Sequence, residues 1–213
     1  MSETAAQVPS KRRQASEARR RAILDAAFDV FIAEGFKAAR LDDIARRAGV
    51  AKGTLYLFSK DKDDLFEQVA LDAVAPVLER LTHLAGQTDL PFAMLLTGMF
   101  TLFEREVLAT KRREIFRLII AEGARFPAIA EFYHREVVSR GLTLVERAAE
   151  RAHARGEIPS YALARYPQLL FGPLLVSVVW RSLFEPYQPL DVAGMLAAHR
   201  AMLLGTAAKA REP

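Results

Sequence analysis

The sequence predicts an all-α protein of about nine helices. Apolar residues recur at helical spacing through most of the chain, and no strand-like alternation is sustained anywhere. Gly or Pro stands at most of the junctions between periodic stretches. At 213 residues, one or two domains with a sizeable core are expected. A hydrophobic fraction of 51% against 26% charged is the balance of a water-soluble globular chain. The absence of cysteine excludes disulfides and thiolate metal sites, and no metal or cofactor is expected.

The elements follow in order. Residues 1–15 are small, polar and basic, and are expected to be a disordered arm. Its Lys11, Arg12 and Arg13 suit either a solvated tail or a track along a nucleic-acid backbone. From Glu17 to Glu34, Ile23, Ala26, Ala27, Val30 and Phe31 mark a first helix, which Gly35 stops before the apolar anchor Phe36. The stretch Leu41 to Phe58 reads LDDIARRAGVAKGTLYLF. Counting from Leu41, Ile44 is fourth, Ala45 fifth, Gly49 ninth, Leu55 fifteenth and Phe58 eighteenth, the arrangement a helix-turn-helix needs. Ile44, Leu55 and Phe58 form a small core between two crossed helices, Ala45 permits close packing, and Gly49 supplies the turn. A fourth helix starts at Asp61 as N-cap, with Asp64 three residues on, and carries Leu65, Phe66, Val69, Val74, Val77, Leu78 and Leu81 to about Leu84, interrupted or kinked at Pro76. Further helices are expected at Pro91–Ala109, Arg112–Ala124, Ala128–Arg155, Tyr161–Phe184 and, beyond the breaker EPYQP, Asp191–Ala208.

The second helix of the motif, Lys52 to Phe58, has an outward face of Lys52, Gly53, Tyr56 and Leu57, with Thr54 beside it. Such a face enters a DNA major groove. A helical hairpin within an ordinary bundle is the plainer alternative, but the charge distribution favours DNA. Residues 1–62 hold 13 Lys/Arg against 8 Asp/Glu, whereas residues 63–213 hold 17 against 18. The positive excess therefore lies with the motif, as a footprint for phosphate does. Arg40, Arg46, Lys60 and Lys62 are candidate phosphate contacts. Lys52 is the candidate for a guanine edge or a phosphate, and the Tyr56 ring and hydroxyl suit a thymine methyl, a base edge or a phosphate. Gly53 lets the backbone approach closely, and Phe58 is either core or contact. One helix of this size reads only a few base pairs, so useful specificity requires a dimer on a palindrome.

The run GTLYLFSKDKDDLF (53–66), preceded by DDIARRAGVAK (42–52), resembles the DNA-binding domain of TetR-type transcriptional regulators over about Glu17 to Val74. The resemblance implies a homodimer, each subunit having three amino-terminal DNA-binding helices and a larger helical ligand-binding and dimerisation domain. The domains are then an arm at 1–15, a DNA-binding domain at 16–62 and an effector domain at 63–213. By position, Lys52, Gly53, Thr54 and Tyr56 fall where that family contacts DNA, and Lys62 on its phosphate-contacting lysine. Arg40 and Ala51 stand where capping hydroxyls are common. Ser59 replaces an aromatic or aliphatic residue, which is expected to loosen the joint between helices three and four. The run FRLIIAEGARFPAIAEFYHREVV (116–138) is similar to effector domains of regulators that often control efflux or detoxification genes. A repressor in the cytoplasm, released from its operator by a small, largely apolar effector, is what the resemblance implies.

The expected effector pocket has Met99, Phe103, Phe116, Tyr133, Phe171 and Trp180 as walls, with Arg117 and His134 to orient a ligand. The expected dimer surface lies on the last two helices, through Leu170, Leu174, Leu175, Val178 and Val179 of one and Met195, His199 and Met202 of the other. Two alternative functions compete. A DNA-organising protein without an effector would leave the second half of the chain without a purpose. A helical di-iron enzyme would use Glu131/His134 and Glu150/His153, but on one helix these pairs lie roughly 28 Å apart and cannot share a metal centre. The amino terminus lacks the apolar run of a secretory signal. The most apolar stretch, Leu169 to Trp180, is too short to span a bilayer, so no membrane partner is expected.

Overall fold

A computed structural model of the protein describes residues 11–206. Among them are eleven α-helices, two π-helical segments and no strand. The helices are α1 (Lys11–Ala38), α2 (Leu41–Arg47), α3 (Lys52–Phe58), α4 (Lys62–Ala85), α5 (Phe92–Leu102), α6 (Arg113–Glu122), α7 (Pro127–Tyr133), α8 (Ser139–Ala154), α9 (Ala162–Arg165), α10 (Gln168–Leu183) and α11 (Val192–Leu203). The π segments, Phe103–Leu108 and His134–Val138, continue α5 and α7. They tighten no turn; each inserts an extra residue into a helix that the apolar spacing reads as regular.

The chain divides into two compact units at Asp72/Ala73. The boundary lies ten residues beyond the expected one, because the first turns of α4 belong to the first unit's core. Phe66 of α4 meets Phe31 and Phe36 edge-on at 5.4 and 5.5 Å, and those two stack at 5.8 Å. Ile23, Ala27, Ile44, Leu55 and Leu65 are fully buried with them. At the boundary itself, Asp72 pairs with Arg21 at 2.8 Å and with Arg20 at 3.6 Å. Residues 11–15, expected as part of a disordered arm, are the start of α1, and residues 1–10 lie outside the described residues. Gly35 adopts φ +78°, ψ 164° within α1 and breaks its regularity where the sequence places a stop. Asp61 caps α4, its Oδ1 accepting from the Asp64 N–H at 2.8 Å.

In the second unit, Leu95, Leu96, Phe100, Val145, Ala149, Ala152, Leu163 and Leu170 are among the residues of one buried cluster. The single helix expected over 161–184 is two. Proline disfavours the helical region for the residue before it. Tyr166, before Pro167, accordingly takes φ −131°, ψ 70° and separates α9 from α10. At the start of α11, Asp191 accepts from the Gly194 N–H at 2.9 Å.

Candidate functional site

In the first unit, α2 and α3 meet through a turn that only glycine fits easily. Gly49 has φ +66°. The Val50 N–H returns to the Ala45 carbonyl at 3.0 Å and the Gly49 N–H to that of Arg46 at 3.2 Å, the paired bonds of a Schellman cap. Leu55 of α3 is fully buried, which points the opposite face outward: Tyr56 is 48% exposed and Leu57 91%. Lys52, Gly53, Arg40, Arg46 and Lys60 are exposed as well, and Thr54 is half-buried. Gly53 is helical, and a Cβ added to it meets nothing within 4 Å. The fold therefore has no need of glycine there.

Electrostatics tie several of these groups down. Lys52 Nζ lies 2.7 Å from Asp42 Oδ1, a contact that lowers the Asp42 carboxyl and raises the Lys52 ammonium from their ordinary ranges. Arg46 pairs with Asp43 at 2.5 Å. Lys62 turns inward. Its ammonium donates to the carbonyls of Lys37 and Ala39 at 3.1 and 3.2 Å and sits 4.8 Å from the Phe36 ring centre. In this way it closes the end of α1. Ser59 tightens the joint it was expected to loosen. Buried, it donates to Asp64 Oδ2 at 2.7 Å, and that oxygen also accepts from the Lys60 N–H at 3.1 Å and the Gln68 amide at 3.2 Å.

The second unit holds a cavity of about 570 Å³. Val74, Val77, Leu78 and Leu81 of α4 form one wall. Met99, Phe103, Phe116, Tyr133 and Phe171 contribute to the others. Arg117, His134 and Trp180 are not in the lining. Arg117 pairs with Glu114 at 2.7 Å, exposed His134 has Nδ1 3.4 Å from the Ser139 hydroxyl, and the Trp180 indole donates to the Gln188 carbonyl at 2.7 Å. The polar side chains that do line it are Arg112, Gln168 and Tyr133. Nothing in the sequence separates Arg112 from its many neighbouring arginines, and the α4 stripe reads simply as core.

Two family descriptions match the chain. "Bacterial regulatory proteins, tetR family" covers residues 23–69, and "Tetracyclin repressor-like, C-terminal domain" covers 95–207, more than half of the sequence. The chain belongs to the TetR family. A TetR-family member is a DNA-binding transcriptional regulator and not an enzyme, and this one is similar along most of its length to others. It is 31% identical over 147 residues to the transcriptional repressor BepR of Brucella suis, spanning 66% of this chain and 69% of that one. It is 24% identical over 197 residues to the regulator AcrR of Shigella flexneri, spanning 91% of each. Among solved structures, the SmeT–triclosan complex superposes with a TM-score of 0.72 at 23% identity, covering 88% of this chain and 90% of that one. SmeT is described as the repressor of the Stenotrophomonas maltophilia multidrug efflux pump SmeDEF.

The family's regulators are dimers as a rule, and the expected dimer surface needs correction. Leu170, Leu174 and Val178 are buried in the second unit's own core and have no face left for a partner. Val179, Met195 and His199 are half-buried, His199 lying 6.1 Å from the Phe100 ring, and burial lowers its imidazole pKa. Leu175 and Met202 are exposed, with Leu169, Val176, Leu183 and Phe184 on the same two helices or at their ends. No metal-holding cluster occurs among the described residues. Of the histidine pairs considered for iron, Glu150 accepts from the Tyr161 hydroxyl at 3.3 Å and His153 faces the Ile158 carbonyl and the Tyr161 ring. No helix among the described residues is long and apolar enough to cross a membrane.

Proposed function

We propose that this TetR-family regulator is a repressor that binds a palindromic operator as a homodimer and is released by a small, largely apolar effector. The 570 Å³ cavity carries this reading: it is drug-sized and walled almost entirely by apolar side chains. Lys52, Gly53, Thr54, Tyr56 and Leu57 read base edges or the adjoining backbone, while Arg40, Arg46 and Lys60 hold phosphates. Leu175, Met202, Leu183 and Phe184 supply the apolar surface across which two copies pair, with Val179, Met195 and His199 at its margin.

The effector acts by preferring the conformation in which the two reading heads are badly spaced, and it weakens operator binding by its differential affinity for the two states. The element on which it acts is α4, whose later turns line the cavity. The similarity to SmeT, the repressor of a multidrug efflux pump, supports control of efflux or detoxification genes. Selection of genomic fragments by the purified protein tests the proposal. Enrichment of one inverted repeat, bound by two copies, is expected. Fragments enriched without a shared sequence would instead make the protein a general DNA binder.

A further inference from the structure

The effector reading leaves the ligand's charge open, and the cavity restricts it. Of all the lining side chains only Arg112, Tyr133 and Gln168 are polar, and no carboxylate is among them. A cation entering would lose its water without meeting a counter-charge. Arg112 offers little to an anion. Its Nε donates to the Ala73 carbonyl at 2.7 Å, and one terminal nitrogen reaches both the Glu106 carbonyl and the Glu106 carboxylate at 3.1 Å. That carboxylate is shared with Arg80, and an anionic ligand would reach the Arg112 charge only by competing with Glu106 for it.

Tyr133 is different. It is 95% buried, its ring sits edge-on to Phe116 at 5.8 Å, and its hydroxyl has no hydrogen-bond partner. Burial raises its pKa, so the group is a neutral donor. Buried donors in folded proteins are nearly always satisfied, by protein groups, ordered water or a bound molecule, so this hydroxyl calls for a partner. Both π segments also face this space, the first through Phe103 and Val107 and the second through Val137 and Val138. Such segments are frequent at functional sites.

Resting on the effector reading above, we infer that the ligand is an uncharged, largely apolar molecule carrying one oxygen acceptor, which takes the hydrogen bond of the Tyr133 hydroxyl. A charged ligand of the same shape is expected to bind more weakly, because it must give up its water in a largely apolar space.

The test uses the purified full-length protein and the neutral fluorescent probe N-phenyl-1-naphthylamine, displaced by decan-1-ol, decanoate or decyltrimethylammonium at pH 7. Decan-1-ol is expected to displace the probe at about ten-fold lower concentration than either ion. Tyr133→Phe should raise the decan-1-ol concentration needed about five-fold, the loss of one hydrogen bond. Either ion matching the alcohol, or an alcohol curve unmoved by Tyr133→Phe, overturns the inference. Val77→Trp, and Leu81→Phe should the first not fold, fill the α4 wall and separate this from the broader reading. Probe binding lost in these variants places the ligand in the cavity. Probe bound by them as by the parent protein, or not bound by the parent at all, overturns the cavity as the effector site itself.

Discussion

Gly49 and Gly53 are glycine for different reasons, and the difference is testable. Gly49 must hold φ +66° for the chain to turn between α2 and α3. Gly53 has room for a Cβ on every side, so the fold does not require its missing side chain. Gly53→Ala is therefore expected to leave thermal stability unchanged or to raise it by up to about 1 kcal/mol, since alanine suits a helix better. It should nonetheless weaken operator binding in a gel-shift titration by about ten-fold or more. A variant that binds as tightly as the parent would remove Gly53 from the contact surface. Residues of this kind are legible in the sequence because the motif's spacing fixes which side of a short helix is buried. The Lys52–Asp42 pair is not, since it joins opposite charges on separate helices at no characteristic spacing. Nor is the contact of the Lys62 ammonium with the carbonyls at the end of α1.

The joint between α3 and α4 depends on Asp64. The Ser59 hydroxyl first, and then the Lys60 N–H and the Gln68 amide, hold its carboxyl below the usual range. A group whose pKa is lowered by folding contributes stability above its unfolded pKa, here about 4, and loses it as pH falls through the folded value. Ser59→Ala should therefore lower stability near pH 7 by about 1–2 kcal/mol, with a smaller deficit at pH 3, where the unfolded chain already binds the proton that these hydrogen bonds resist in the folded one. Thermal unfolding at the two pH values measures this, and an equal deficit at both would show that the joint does not depend on the charge. Elements closed by caps, such as α4 at Asp61 and α2 at Gly49, follow directly from residue type. The π segments do not, because one inserted residue per helix leaves the apolar spacing nearly intact. The break at Pro167 had a local signal in the proline itself, but the apolar run on either side outweighed it.

On the scale of the whole molecule, the all-α class and the amino-terminal motif were legible, whereas the division of α10 between core and surface was not. Its apolar residues lie on several faces, and spacing alone does not say which face the subunit keeps. Leu170, Leu174 and Val178 go inward; Leu169, Leu175 and Val176 remain outside. The exposed set, with Met202 at 73% exposure on α11, is where a second copy is expected. Met202→Asp should give monomers in sedimentation equilibrium and weaken operator binding, while circular dichroism stays that of the parent. A persistent dimer places the interface elsewhere.

The central claim is that the outward face of α3 reads DNA sequence. Its most direct test is the affinity of the parent protein and of Tyr56→Ala for the selected operator and for a scrambled duplex of equal length and salt. The parent is expected to prefer the operator by about a thousand-fold or more. Tyr56→Ala should lose about ten-fold or more on the operator and little on the scrambled duplex. Unchanged operator affinity, or an equal loss on both duplexes, would contradict it.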